Sequence, residues 1–138
     1  MAEKITLRLV TPSRLLLDEE VDEVTAPGAL GQFGVLPRHI TFLTLLEPGE
    51  MSYKQGDRRY RLAITGGYAE VLDDVMTVLA DAAEYADEID VERARGAKER
   101  AEKRMAELGP EHENFPAAEA SLRRAQARLE VASQRDHR

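Results

Sequence analysis

Arg93 and Arg100 are seven residues apart, and Arg124 and Arg128 are four apart, so each pair falls on one face of a helix. If the two helices fold back on each other, four guanidinium groups converge. Such a cluster suits a polyphosphate, because each planar fork can donate two hydrogen bonds to phosphate oxygens. The competing reading is ordinary solubility, and spacing alone favours it. Glu92, Glu99, Glu102 and Glu119 stand near enough in the sequence to neutralise the arginines.

Catalytic chemistry is poorly provided for. The histidines, His39, His112 and His137, form no HExxH or HxxxH spacing, and there is no cysteine to act as a nucleophile or thiolate ligand. No catalytic residue and no metal site is therefore assigned. Asp18-Glu19-Glu20 and Asp22-Glu23 read as a solvated acidic edge of the kind that discourages sheet aggregation. The stretch Gly28–His39 holds glycines at 28, 31 and 34 but neither GxGxxG with the right flanks nor GxxxxGK[ST], so it is no phosphate loop. It is a shaped surface loop using positive φ at glycine, or a contact loop on a rigid scaffold. The residues alone leave both open.

The elements that must position these residues divide the chain. Ile5, Leu7 and Leu9 alternate with Thr6 and Arg8, the period of a half-buried strand. Further strands are expected over 14–17, 21–26, 51–54, 60–65, 68–72 and 75–80. Gln55-Gly56-Asp57 and Asp73-Asp74 supply turn chemistry. With no helical crossover between them, these strands form a sandwich or barrel rather than a parallel βαβ sheet. Near Asp87–Asp90 the period becomes helical. Val91, Ala94, Ala97, Ala101, Met105 and Leu108 define one stripe, and Ala118, Leu122, Ala125, Leu129 and Ala132 another. Asp90 is the expected N-cap of the first helix and Asn114 of the second, with Leu108-Gly109-Pro110 between them. Two alanine-rich stripes bury little, and Gly96 weakens the first helix, so the hairpin is marginal and free to detach.

Charge and composition agree with two parts. Residues 1–88 hold 16 acids and 8 bases, and residues 89–138 hold 10 and 11; the whole 138-residue chain carries −7. That is poor equipment for gripping nucleic acid. No apolar run approaches the roughly 18 residues of a membrane span, so no direct membrane insertion is expected.

Gly31-Gln32-Phe33-Gly34-Val35-Leu36-Pro37-Arg38-His39, Gly66-Gly67-Tyr68-Ala69-Glu70-Val71, Thr77-Val78-Leu79-Ala80 and Ile89-Asp90-Val91-Glu92-Arg93-Ala94 occur in order along the chain. Together they resemble the epsilon subunits of bacterial F-type ATP synthases. The resemblance implies a β sandwich of about ten strands over 1–87 and a regulatory two-helix hairpin over 88–138. It implies a non-catalytic rotor subunit, peripheral to the cytoplasmic face of the bacterial plasma membrane. Its partners would be the gamma subunit, the c-subunit ring and, when the hairpin extends to inhibit ATP hydrolysis, the alpha and beta subunits. No cofactor is required, but ATP is implied as a regulatory ligand of the folded-down hairpin, through Glu84, Ile89, Asp90, Arg93, Ala94, Arg100, Arg124 and Arg128. Gln32, Arg38 and His39 would face the c-ring. Gln32 replaces a more usual acid, Arg38 a more usual glycine, and Ala117 stands where relatives place a basic residue. The alternative is a free-standing ATP-sensing module, which needs no stable complex with gamma.

Overall fold

The computed structural model describes residues 3–134. Ten strands precede two helices: β1 (Ile5–Thr11), β2 (Arg14–Val21), β3 (Glu23–Gly28), β4 (Gly31–Val35), β5 (Phe42–Leu46), β6 (Gly49–Gln55), β7 (Arg58–Ile64), β8 (Gly67–Leu72), β9 (Val75–Ala80) and β10 (Ala83–Tyr85). A 3-10 turn, Ala86–Glu88, leads to α1 (Val91–Leu108) and α2 (Phe115–Ala132). The strands form one hydrogen-bonded network in the order β10-β7-β6-β3-β5-β8-β9-β1-β2, with β4 paired to β3. Every pairing is antiparallel except β1 with β9. That one parallel pair joins strands far apart in the sequence and involves no helical crossover.

The alternation read from the sequence sets the core. Ile5, Leu7 and Leu9 are fully buried, and all ten strands contribute side chains to the same apolar cluster. Turn chemistry sets the register. Gly56-Asp57 is a two-residue loop between the paired Gln55 and Arg58. Asp73 and Asp74 join the paired Leu72 and Val75, both with positive φ, as a primed turn demands. Asp18, Glu19 and Glu20 lie on β2, the last strand of the order, and are exposed.

Three strands depart from the expectation. Gly28–His39 is not a plain loop: Gly31–Val35 returns along β3 with Gly28 opposite Gly31 and Val24 opposite Val35, placing Ala29-Leu30 at a hairpin tip. Its own propensity is weak, and pairing with β3 supplies the order. β5 escapes a period-two reading because Leu43 and Leu45 on its exposed face are also apolar. β10 is only three residues long and is held by β7.

In the hairpin, Ala94 and Ala101 of α1 and Ala118 and Ala125 of α2 are buried where the helices pack. Leu122 and Leu129, by contrast, are only half-buried. The deeper contacts of α2 come instead from Val131 and Ala132, which pack with Ala63, Ala86 and Ile89. The cause is a second face of α2, which lies on β6, β7 and the 3-10 turn while α1 rides on α2. Asp90 caps α1 as expected, its Oδ1 accepting from the Arg93 N–H at 3.1 Å. Asn114 occupies the cap position of α2 but makes no side-chain cap bond; its N–H donates to the His112 ring at 3.0 Å. Among the described residues, no helix is long and apolar enough to cross a membrane.

Candidate functional site

The helices and β10 enclose a cavity of about 480 Å³. Glu84 enters from β10, Asp90 from the cap, Arg93 and Arg100 from α1, and Arg124 and Arg128 from α2. Alanines at 82, 94, 97 and 125 form the rest of the wall with Ser121. Helix periodicity brings the arginines to one face, and small residues let the helices approach closely enough to share them. Of the eight residues implied for a nucleotide, seven line this cavity. Ile89 does not: it is 3% exposed, in the apolar cluster beneath α2, where it anchors the start of the hairpin.

Four guanidiniums against two carboxylates leave the lining with an excess of positive charge. The carboxylates are partly spoken for. Arg128 Nε donates to Glu84 Oε1 at 2.5 Å, tying α2 to β10, and Asp90 is engaged in capping. Arg124 donates to the Ser121 hydroxyl at 3.0 Å. Among the described residues, Arg93 and Arg100 have no side-chain ion-pair partner. The neutralisation that would make this a merely soluble face is thus not formed: Glu92 pairs with Arg95, outside the cluster, and Glu99, Glu102 and Glu119 pair with none of the four. Guanidinium groups gathered in this way have the fork geometry that suits a multiply charged anion. It holds no nucleophile–base pair: neither His39 nor His112 lines it, and His137 lies outside the described residues. Among the described residues no group of three or more His, Asp or Glu could hold a metal.

Sequence reasoning took Gly96 only as a weak point. A Cβ there would stand 3.1 Å from Arg100 Nη1, so the glycine makes room for that guanidinium to fold back along α1. The Glu84–Arg128 contact spans 44 residues and leaves no signal in local spacing.

A second surface lies on the exposed face of β5, β8, β9, β1 and β2. Leu45 pairs with Tyr68, Tyr68 with Leu79, Leu79 with Val10, and Val10 with Leu15. Cross-strand partners point to the same face, so these side chains form one row across β5, β8, β9, β1 and β2. Four of the five are at least half exposed, which is unusual for neighbouring large apolar groups. Gln32 sits exposed on β4 near the Ala29-Leu30 tip. Arg38 adopts φ 68°, its N–H donates to Asp74 Oδ1 at 2.6 Å, and its guanidinium pairs with Glu3. The His39 ring bonds the Ile40 carbonyl at 2.7 Å and meets Phe42 edge-on. No hydrogen bond or ring contact joins Gln32 to either of them among the described residues.

Known proteins share both parts. The family model described as the ATP synthase delta/epsilon chain β-sandwich domain matches residues 4–86, and that for the long α-helix domain of the same chain matches 87–133. The ATP synthase epsilon chain of Syntrophobacter fumaroxidans is 57% identical over 132 residues, covering 96% of this chain and 98% of that one. The epsilon chain of Geobacter metallireducens is 53% identical, covering 96% of each. Among solved structures, a chain of the Euglena gracilis mitochondrial ATP synthase, in an assembly of OSCP, F1 and c-ring, superposes with a TM-score of 0.80 at 28% identity. That match covers 94% of this chain and 81% of the other.

Proposed function

This chain belongs to the ATP synthase delta/epsilon chain family, and from that premise we propose that it is a non-catalytic rotor subunit of the central stalk. In this role it couples the c-ring to gamma and restrains ATP hydrolysis through a mobile C-terminal hairpin. The observation that carries the reading is the exposed apolar row Leu45-Tyr68-Leu79-Val10-Leu15. Such a row wastes hydrophobic free energy in water and demands a lasting partner. That favours a stalk subunit over a free-standing sensor. Gamma takes this face, and the Gln32, Arg38 and His39 end meets the c-ring on the cytoplasmic side of the membrane.

The arginine cavity is the site for ATP as a regulatory ligand. Its triphosphate lies among Arg93, Arg100, Arg124 and Arg128, adding counter-charge between the helices. Bound ATP holds the hairpin against the sandwich and opposes the extended form that reaches alpha and beta, so low ATP favours inhibition. Arg128 already serves Glu84, so Arg93 and Arg100 are the cleaner reporters of the ligand.

The test is co-purification with gamma. Leu79→Lys together with Tyr68→Lys places unpaired charge in the middle of the row and weakens the complex roughly a hundredfold. Arg93→Ala, on the hairpin, leaves it unchanged. Retention of gamma by the folded double variant would remove the row as the interface.

A further inference from the structure

A second cavity, of about 310 Å³, runs on from the first between α1 and α2. The two share Ala97, Arg100 and Ser121 in their walls, so they are chambers of one groove. Arg104 stands in the second chamber, and Ala117 and Ala118 keep it open from the α2 side. Helix geometry strings the α1 arginines into a row. Positions 93, 100 and 104 fall within about 40° around the axis and extend about 16 Å along it. Arg104, like Arg93 and Arg100, has no ion-pair partner among the described residues. A surface row of this kind is normally laced with acids at i±3 or i±4. Here the cations stay free and face the same groove.

We propose that the second chamber is a phosphate subsite, so that the groove takes linear phosphate chains of four or more units and holds them more tightly than a triphosphate. The proposal rests on reading the first chamber as a nucleotide site and extends it past the third phosphate. Arg100, at the junction, serves both chambers, and Arg104 receives the additional phosphate by a charge-assisted bond. Ala117 acts by its small size: a larger side chain at this exposed position fills the chamber without touching the first. The shared chemistry of the ligand is a chain of phosphoanhydrides. Nucleoside tetraphosphates and inorganic polyphosphate both supply it.

Titration calorimetry of the full-length chain tests this with four probes: ATP, adenosine 5′-tetraphosphate, inorganic tripolyphosphate and a longer inorganic polyphosphate. The tetraphosphate is expected to bind about tenfold more tightly than ATP, the gain of one charge-assisted bond. Arg104→Ala and Ala117→Phe each abolish that advantage and leave ATP binding as in the parent. Their fold is checked by far-ultraviolet circular dichroism. Polyphosphate outcompeting tripolyphosphate in an Arg104-dependent way assigns the groove to the inorganic chain. The same dependence seen only with the adenosine compounds assigns it to nucleotides. Equal affinities of the parent for ATP and the tetraphosphate, or an advantage that survives Arg104→Ala, overturns the subsite and leaves the nucleotide site standing. Arg104-dependent binding of polyphosphate without any binding of ATP upholds the subsite and overturns the nucleotide reading. No binding of any probe overturns both.

Discussion

The sandwich and the hairpin are held together by different means. In the sandwich, leucines, isoleucines, valines and methionines from nine strands, with Tyr85 from β10, are sealed in one cluster, many of them with no exposure at all. Each contributes roughly 1.5–3 kcal/mol on burial. The helices meet through alanines, and α2 rests on the sandwich through Ala63, Ala86, Ile89, Val131 and Ala132. Two ion pairs at the margins, Arg128 with Glu84 and Arg123 with Glu47, are partly open to water. Pairs of that exposure are worth about 0–1 kcal/mol each. The face of β6 and β7 beneath α2 carries its own Arg61–Glu50 pair, so it tolerates water when uncovered. One region is built to keep a shape; the other is built so that leaving costs little.

The sharpest way to break that comparison is to delete a large side chain from each region. Leu7→Ala, in the fully buried centre of β1, should cost about 2–5 kcal/mol. Leu129→Ala, half-buried on α2, should cost about 1 kcal/mol or less. Urea unfolding can follow both regions in one sample. All four tyrosines, Tyr53, Tyr60, Tyr68 and Tyr85, lie in the sandwich, so the tyrosine band of the near-ultraviolet dichroism reports it alone, while the 222 nm signal reports mainly the helices. The helix transition should come first and the two should not coincide. Coincident transitions, or equal costs for the two variants, would make the chain a single cooperative unit.

What could be read from the sequence follows the same division. Alternation exposed β1, where Thr6 and Arg8 face outward between Ile5, Leu7 and Leu9, while the Asp73-Asp74 turn marked off β8 and β9. Alternation failed on β5, whose outer leucines belong to the row left open for a partner, and on β4, whose glycines have little propensity of their own. Helical spacing was enough to gather the four arginines, because i+4 and i+7 relations are a property of the helix itself. It could not bring in Glu84, which reaches Arg128 only through tertiary packing, nor show that Val131 rather than Leu129 carries the docking. A single stripe was legible on α2; its second face has meaning only once the sandwich is there to receive it. Ile89 stands at the head of a motif shared with its neighbours Asp90 and Arg93, yet packing turns it inward.

Alkaline pH should separate the regions by a smaller margin. Burial, and then the bond to the Tyr85 hydroxyl at 2.7 Å, push the Tyr53 phenol well above its ordinary value of 10.0. The neutral phenol is therefore favoured by the folded sandwich. Its stabilisation is complete below the ordinary value and is lost as pH rises past it, because the unfolded chain then releases a proton that the native chain keeps. Tyr53→Phe should cost about 1 kcal/mol at neutral pH through the lost hydrogen bond and should flatten the loss of sandwich stability above about pH 10. The hairpin has no tyrosine, so its transition should be indifferent to this substitution. A sandwich transition with the same alkaline slope in both proteins would remove Tyr53 as the cause.

The smallest expected effect concerns a glycine in each region. At Gly67 a Cβ would stand 2.0 Å from the Leu79 carbonyl oxygen, and φ is +137°, so the sandwich has no space or backbone freedom to give there. At Gly96 the added carbon meets only the far end of Arg100, at 3.1 Å, and that end can swing away. Gly96→Ala should therefore stabilise α1 by roughly 0.5–1 kcal/mol, the ordinary gain of alanine over glycine inside a helix. The guanidinium displaced by the new methyl group is one that lines the cavity. Helix melting should thus rise while ATP affinity falls a few-fold, a trade of ligand grip for helix stability. Gly96→Ala with Arg100→Ala should keep the gain in melting and show no further loss of ATP beyond Arg100→Ala alone, since both act through the same guanidinium. Additive losses would mean that the glycine serves the cavity by some route other than Arg100. A rise in melting with ATP affinity untouched would mean that the hairpin carries Gly96 purely to stay weak.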